Sequence, residues 1–205
     1  VKLADDKYMV CSDVKDFKKY IMEATKNNTE IVVNGEKLLP AQIESIEVTT
    51  YNQMIENCFT DALKNKEFII YYQPKIDVIT EKVIGAEALV RWQRTDGSMI
   101  SPENFIPIYE KNGQIQKLDA YVFRQVCRLQ KRILDESKKL LSVSVNLSRS
   151  SILCEEIVEQ YTKIVRENDI PITCVPLEIT ESASVYGAKV AFISHMRRRG
   201  ILLVE

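Results

Sequence analysis

The run Val83-Ile84-Gly85-Ala86-Glu87-Ala88-Leu89-Val90 is an apolar stretch interrupted by a single carboxylate. A short apolar run rich in β-branched residues is typical of a buried strand. Upstream, Phe68-Ile69-Ile70-Tyr71-Tyr72 has the same character, and a turn separates the two runs. We therefore predict two neighbouring strands. Glu87 then lies in a buried strand, where an unpaired carboxylate is costly unless it is paired or binds a cation.

Strands and helices alternate on both sides of this pair. The other predicted elements are a helix over 51–66, a helical region over 102–137 broken at Asn112-Gly113, a strand over 141–147, a helix over 151–168, a strand over 175–179, a helix over 189–199 and a strand from 201. Helices long enough to cross over between short apolar strands indicate an α/β fold with a parallel sheet. A closed eight-stranded barrel typically needs about 250 residues, so an intact barrel would not fit within residues 51–205.

The first fifty residues have a different pattern, which predicts a small α+β unit. It contains a strand over 7–11, a helix capped by Asp13, and two strands joined by the Asn34-Gly35 turn, with further extended chain over 43–48. We place a domain boundary just before Tyr51, giving domains over 1–50 and 51–205.

The composition excludes several classes of function. The 205 residues are 45% hydrophobic and 28% charged, with a net charge of −1, so no basic excess exists to bind long nucleic acids. Five scattered cysteines and one histidine predict neither a zinc site nor a disulfide framework. No apolar run reaches the roughly 18–20 residues that span a bilayer. We expect a cytoplasmic location, and a membrane-anchored parent protein remains open.

Three predicted strands each carry a polar residue of a ligand type, namely Glu87, Asn146 and Glu178. The carboxyl ends of parallel strands meet at one face of an α/β sheet, where sites are built. Two carboxylates and an amide oxygen suit Mg²⁺ or Mn²⁺ better than zinc. Each residue also has a structural interpretation. Glu87 could be a salt-bridged or edge residue, Asn146 could cap the following helix, and Glu178 could pair with a basic residue on a neighbouring strand.

Several motifs in this order and spacing resemble the EAL domain. They are Tyr72-Gln73-Pro74, Gly85-Ala86-Glu87-Ala88-Leu89-Val90-Arg91-Trp92, Ile100-Ser101-Pro102 with Phe105-Ile106-Pro107 and Glu110, Ser144-Val145-Asn146-Leu147-Ser148, and Leu177-Glu178-Ile179-Thr180-Glu181-Ser182. The resemblance covers roughly residues 51–205. It implies an α/β fold that is a TIM-like (β/α) barrel of the EAL type, with only about the first five strands present in this chain. It also implies that the complete barrel hydrolyses cyclic di-GMP to linear pGpG with two Mg²⁺ or Mn²⁺ ions.

The resemblance also assigns roles to residues. Glu87, Asn146 and Glu178 resemble the metal ligands, and Glu87 is also the residue expected to be catalytic. Glu181 resembles a glutamate that anchors a catalytic loop. Arg91 resembles a residue that contacts a substrate phosphate, and Gln73 a residue that lines the substrate groove. Gln73 could instead form strand-end hydrogen bonds, and Arg91 could pair with a nearby acid.

Two departures from the family pattern suggest a partial chain. The family's Asp-Asp pair for the second metal is expected directly after Glu205, so the 205 residues alone are expected to be inactive. Near the start, Ala4-Asp5-Asp6-Lys7-Tyr8 resembles part of a degenerate GGDEF domain, with Lys7 where the catalytic acid would be. A longer two-domain parent is the resulting expectation.

Three functions compete at this point. The first is a cyclic di-GMP phosphodiesterase, favoured because Glu87, Arg91, Asn146 and Glu178 are all present. The second is an inactive receptor that binds cyclic di-GMP, and the third is a structural dimerisation module without nucleotide binding. The resemblance also implies a possible homodimer.

Overall fold

A computed structural model of the chain describes residues 2–3, 14–33, 36–45, 51–137, 140–152, 154, 156–179, 200 and 203–204. The chain divides into two units, Val1–Met54 and Ile55–Glu205, and each is described by itself. Among the described helices, none is both long and apolar enough to cross a bilayer.

The first unit contains one helix and short strands. Its elements are β1 (Lys2–Leu3), α1 (Val14–Asn27), β2 (Ile31–Val33), β3 (Glu36–Leu38) and β4 (Ile43–Ser45). Strands β2 and β3 form the predicted antiparallel hairpin, and β1 pairs with β4. Ile21 and Ala24 of α1 are buried, as are Ile31 and Leu38 of the hairpin. The predicted strand over 7–11, the Asp13 cap, the Asn34-Gly35 turn and residues 46–48 lie outside the described residues. The separate domain over 1–50 and its GGDEF character stay predictions.

The second unit begins with an amphipathic helix and then follows the predicted alternation. Its elements are α2 (Tyr51–Lys64), β5 (Phe68–Ile76), β6 (Val83–Gln93), β7 (Met99–Ile100), α3 (Pro102–Asn112), α4 (Ile115–Ser137), β8 (Ser142–Leu147), α5 (Arg149–Ile152), α6 (Glu156–Glu167), β9 (Leu177–Ile179) and β10 (Leu203–Val204). Helix α2 is counted here, although its first turn belongs to the other unit. The break between α3 and α4 falls at Gly113, which has a φ of 80° and caps α3.

Six strands form one sheet in the order β10-β9-β8-β6-β5, with β7 beside β6. The pairs β6–β8, β8–β9 and β9–β10 are parallel, which confirms the predicted α/β fold. Strand β5 differs, because it is joined to β6 by a short hairpin and pairs with it antiparallel. Other elements also differ from the predictions, and β5 extends to Ile76 instead of ending at Tyr72. Strand β7 was not predicted, the helix predicted over 151–168 consists of α5 and α6, and β9 begins at Leu177 instead of Val175.

One face of this sheet packs against helices and carries the core. Phe68 and Trp92 are cross-strand partners on that face, and Phe105 and Tyr109 of α3 complete an aromatic cluster with them. All four side chains are at most 2% exposed. The Trp92 indole donates a hydrogen bond of 2.8 Å to Glu67 Oε2, so its polar atom is satisfied. This cluster fixes β5 and β6 against α3.

Gly85 allows β6 and β8 to approach closely. It pairs with Ser142, and a Cβ atom at position 85 would collide with the Ser142 backbone carbonyl. Because that obstacle is backbone, a side chain here would force the two strands apart. The glycine therefore preserves the register that aligns Glu87 with β8.

Candidate metal and phosphate site

Strand register places the predicted ligands on one face of the sheet. Gln73 is the cross-strand partner of Glu87, Glu87 is the partner of Ser144, and Asn146 is the partner of Glu178. Because cross-strand partners and residues two apart share a face, all five side chains lie on the side opposite the aromatic cluster. We call this the site face, defined by Gln73, Glu87, Ser144, Asn146 and Glu178.

Glu87 and Asn146 are in direct contact on the site face. Asn146 Nδ2 donates a hydrogen bond of 2.7 Å to Glu87 Oε1, and both residues are partly buried. The contact uses the amide NH₂ group, so the amide oxygen is not engaged by Glu87. The alternative in which Glu87 forms a salt bridge is not found among the described residues. The contact brings a carboxylate and an amide side chain together, and the oxygens of both groups are ligands that hard divalent cations prefer.

Glu178 has a basic partner, as its structural interpretation anticipated. Lys75 Nζ forms an ion pair with Glu178 Oε1, although the lysine lies on β5 and not on a neighbouring strand. Burial raises the pKa of the Glu178 carboxyl, but hydrogen bonds from Lys75 and Ser144 and the lysine charge outweigh it and lower the pKa. The Lys75 and Glu178 side chains are 39% and 21% exposed, so the pair is open to solvent.

Arg91 lies four residues beyond Glu87 on β6, so the two side chains project from the same side of the strand. Its guanidinium lies 5.7 Å from the centre of the Tyr71 ring, and Nη1 donates a hydrogen bond of 2.8 Å to the Val90 carbonyl. Within the described part of the chain Arg91 forms no ion pair with an acid. The exposed Gln73 side chain belongs to the same face.

A pocket of about 240 Å³ adjoins this face. It brings Arg91 and Asn146 together with Asp119 and with apolar side chains of α3 and α4, such as Ile106 and Leu118. Neither Glu87 nor Glu178 lines it. The pocket therefore offers a guanidinium and an amide beside an apolar wall, a combination that suits a ligand with both a phosphate and an apolar ring.

Asp119 is a site-adjacent residue that was missed in the sequence. It lies on the buried side of α4 and accepts hydrogen bonds from the Ser148 backbone N–H at 3.1 Å and from Ser151 Oγ at 2.7 Å. These bonds hold the segment that follows Asn146. A carboxylate at a helical spacing of four residues from Ile115 and Phe123 breaks an apolar face, and that signal could have identified it.

Burial raises the pKa of Asp119 to about 6, although the two serines partly oppose the rise. A pKa raised above that of the unfolded chain means that the folded state binds more protons, so this group stabilises the fold at low pH. The contribution is complete below the unfolded pKa of 3.8 and is lost as pH rises through about 6.

We therefore expect Asp119→Asn to remove one component of the pH dependence of stability. The free energy of unfolding of the variant, relative to the unmodified chain, should improve by about 2.5 kcal/mol between pH 4 and pH 7.5, from the size and position of the pKa shift. Urea unfolding of both proteins at the two pH values measures this difference. Parallel pH profiles would show that Asp119 ionises normally in the folded state.

Two further observations define the limits of the site. Within the described residues, no three acidic, cysteine or histidine side chains are grouped so that they could hold a metal ion, and the predicted donors remain two carboxylates and an amide. Glu181 lies outside the described residues, and its role as a loop anchor stays a prediction. An all-oxygen donor set of this kind fits Mg²⁺ or Mn²⁺ in its chemistry.

A parallel-rich sheet with polar donors on successive strands is the arrangement on which barrel enzymes build their sites. Residues 56–204 match the family described as "EAL domain", which is most of the chain. The chain belongs to the EAL domain family, and the resemblance noted in its motifs is confirmed.

Particular relatives and structures agree with this assignment. The cyclic di-GMP phosphodiesterase NbdA of Pseudomonas aeruginosa is 27% identical over 156 residues, 75% of this chain and 20% of NbdA. An Escherichia coli K12 protein named "Probable cyclic di-GMP phosphodiesterase PdeB" is 31% identical over 121 residues, 59% of this chain and 23% of PdeB. The solved structure "PaMucR Phosphodiesterase, c-di-GMP complex" superposes with a TM-score of 0.68 at 25% identity, covering 73% of this chain and 62% of that one. The chain thus spans less than a quarter of the length of these two curated relatives.

Proposed function

We propose that the protein containing this chain is a cyclic di-GMP phosphodiesterase that hydrolyses its substrate to pGpG with two divalent cations, Mg²⁺ or Mn²⁺. The supporting observation is the placement of Glu87, Asn146 and Glu178 on one face of the sheet, with Arg91 on the same side. Relatives named as cyclic di-GMP phosphodiesterases, and a neighbouring structure titled as a cyclic di-GMP complex, indicate the substrate class.

The residues of the site face have separate roles in this proposal. Glu87 and Glu178 supply carboxylate oxygens and Asn146 an amide oxygen, and together they would hold a divalent cation. When bound, such cations lower the pKa of a coordinated water and neutralise charge on the leaving oxygen. Arg91 binds a substrate phosphate through its guanidinium, and Gln73 lines the groove. Glu181 anchors a loop and keeps the site in shape.

The Asn146–Glu87 hydrogen bond adds a positioning function. It holds the Asn146 amide group against the Glu87 carboxylate. Rotation of the amide in place would then present its oxygen to a cation bound by that carboxylate. We further propose that the protein acts in the cytoplasm and that a homodimer is its working form.

The test is an incubation of the intact protein that contains this chain with cyclic di-GMP and Mn²⁺, followed by chromatography of the products. Conversion to pGpG that stops when EDTA removes the metal supports the proposal. Binding of cyclic di-GMP without any product would instead identify a receptor, and absence of both would indicate a structural module.

One observation favours the receptor as the second candidate. Glu178 forms an ion pair with Lys75, so one predicted metal ligand already has a positively charged partner. A catalytically inactive domain that binds no metal would keep the Lys75–Glu178 ion pair at all times. The same incubation separates the two functions, because a receptor retains cyclic di-GMP unchanged at every Mn²⁺ concentration.

A further inference from the structure

Lys75 contacts the predicted metal ligand Glu178 from a strand that is not its neighbour in the sheet. It lies on β5, whereas Glu178 lies on β9, and β6 and β8 separate the two strands. The contact is possible because Lys75 follows Gln73 by two residues and so projects from the site face. The Lys75 and Glu178 side chains therefore meet over β6 and β8 on the site face.

Binding of an ammonium group and of a divalent cation to this carboxylate should be mutually unfavourable. The ammonium of Lys75 already contacts Oε1 of this carboxylate, and two positive charges a few ångströms apart repel each other strongly in a partly buried site. The Glu178 side chain is only 21% exposed, so a cation that approaches its carboxylate comes close to the Lys75 ammonium. Lys75 is the more mobile partner, because its side chain is 39% exposed and flexible.

We propose that Lys75 competes with the divalent cation for Glu178 and so sets the metal affinity of the site. The proposal rests on the proposed function, because it concerns the same cation. In the metal-free protein Lys75 neutralises Glu178 and stabilises the site face. Metal binding displaces the ammonium into solvent, so the observed affinity is lower than the three oxygen donors alone would give. Lys75 is thus a positioning residue that limits metal loading.

Titration of Mn²⁺ into the intact protein, followed by electron paramagnetic resonance of the free ion, measures this competition without any turnover. Lys75→Met keeps most of the stem and removes the charge, and we expect it to bind Mn²⁺ about tenfold more tightly. The increase in melting temperature caused by Mn²⁺ should grow in parallel, because the ligand stabilises the folded state in proportion to its affinity. Lys82→Met is the matched control. It removes the same charge from an exposed position on the same hairpin, and its Mn²⁺ affinity should stay within about twofold of the unmodified protein.

A double substitution tests whether Lys75 acts through Glu178. In a Glu178→Gln background, Lys75→Met should change the Mn²⁺ affinity by less than about twofold, because the shared carboxylate is gone. A tenfold gain that persists in that background would overturn the competition and leave only a general charge effect.

Two outcomes separate this inference from the proposed function. If the unmodified protein binds Mn²⁺ and produces pGpG, but Lys75→Met binds the ion no more tightly, the competition is wrong and the phosphodiesterase stands. If neither protein binds Mn²⁺ at millimolar concentration, the metal site itself is wrong, and both proposals are overturned.

Discussion

Glu87→Gln is expected to lower the rate of cyclic di-GMP hydrolysis by at least about a thousandfold, the scale on which loss of a charged active-site group acts. Glutamine has the same shape and can still accept the hydrogen bond from Asn146 Nδ2, which measures 2.7 Å in the present structure. It lacks the negative charge that draws a divalent cation to the site face. The measurement is kcat for pGpG formation at saturating Mn²⁺, with circular dichroism to verify that the fold is unchanged.

Glu136→Gln is the matched control for this substitution. Glu136 is exposed near the end of α4 and is not part of the site face, so the change should leave kcat within about twofold. If Glu87→Gln retained most of the activity, Glu87 would be a structural residue and the ligand assignment would fail. If it lost activity but kept its affinity for cyclic di-GMP, the ligand role in catalysis would be supported.

Much of this fold follows from local sequence pattern. Helical periodicity located α3 and α4 and the break at Gly113, because a left-handed residue ends the first helix. Apolar runs located β5, β6 and β8. The error in β5 has a clear cause. Pro74 ends the apolar run, although the strand continues and Pro74 pairs with Ala86 of β6. Because β5 is an edge strand of the described sheet, the missing N–H donor of Pro74 is tolerated.

Short elements were harder to predict because they depend on their neighbours. Strand β7 has two residues and forms only by pairing with the end of β6. Strand β9 has three residues and begins after Pro176, and its place in the sheet comes from parallel pairing with β8. Neither carries enough residues for a periodic signal, so pairing decides the conformation.

The candidate site was predictable in its donors but not in its connections. Glu87, Asn146 and Glu178 stand out because each is polar within an apolar strand. The Lys75–Glu178 pair joins residues 103 positions apart, and it follows only from the strand order and register together. Ser144 shows the same limit, since its contribution to Glu178 depends on the faces of two strands.

The alternating faces of β6 lead to a prediction about two adjacent residues. Arg91 projects from the site side and contacts Tyr71, whereas Trp92 is fully buried in the aromatic cluster on the other side. Arg91→Ala is expected to weaken the affinity for cyclic di-GMP by about 10- to 100-fold, the range for a lost charge-assisted hydrogen bond. Its free energy of unfolding should change by less than about 0.5 kcal/mol.

Trp92→Ala serves as the contrasting variant, because it should reverse this pattern. Deleting a fully buried indole is expected to lower the free energy of unfolding by about 3–5 kcal/mol, and urea unfolding would measure it. Affinity per folded molecule should then change little, because Trp92 does not reach the site side. Equal losses of stability in both variants would place Arg91 in the core packing and remove the phosphate contact from the mechanism. A binding defect confined to Arg91→Ala would instead support different roles for the two sides of β6, with one side packing in the core and the other binding the substrate.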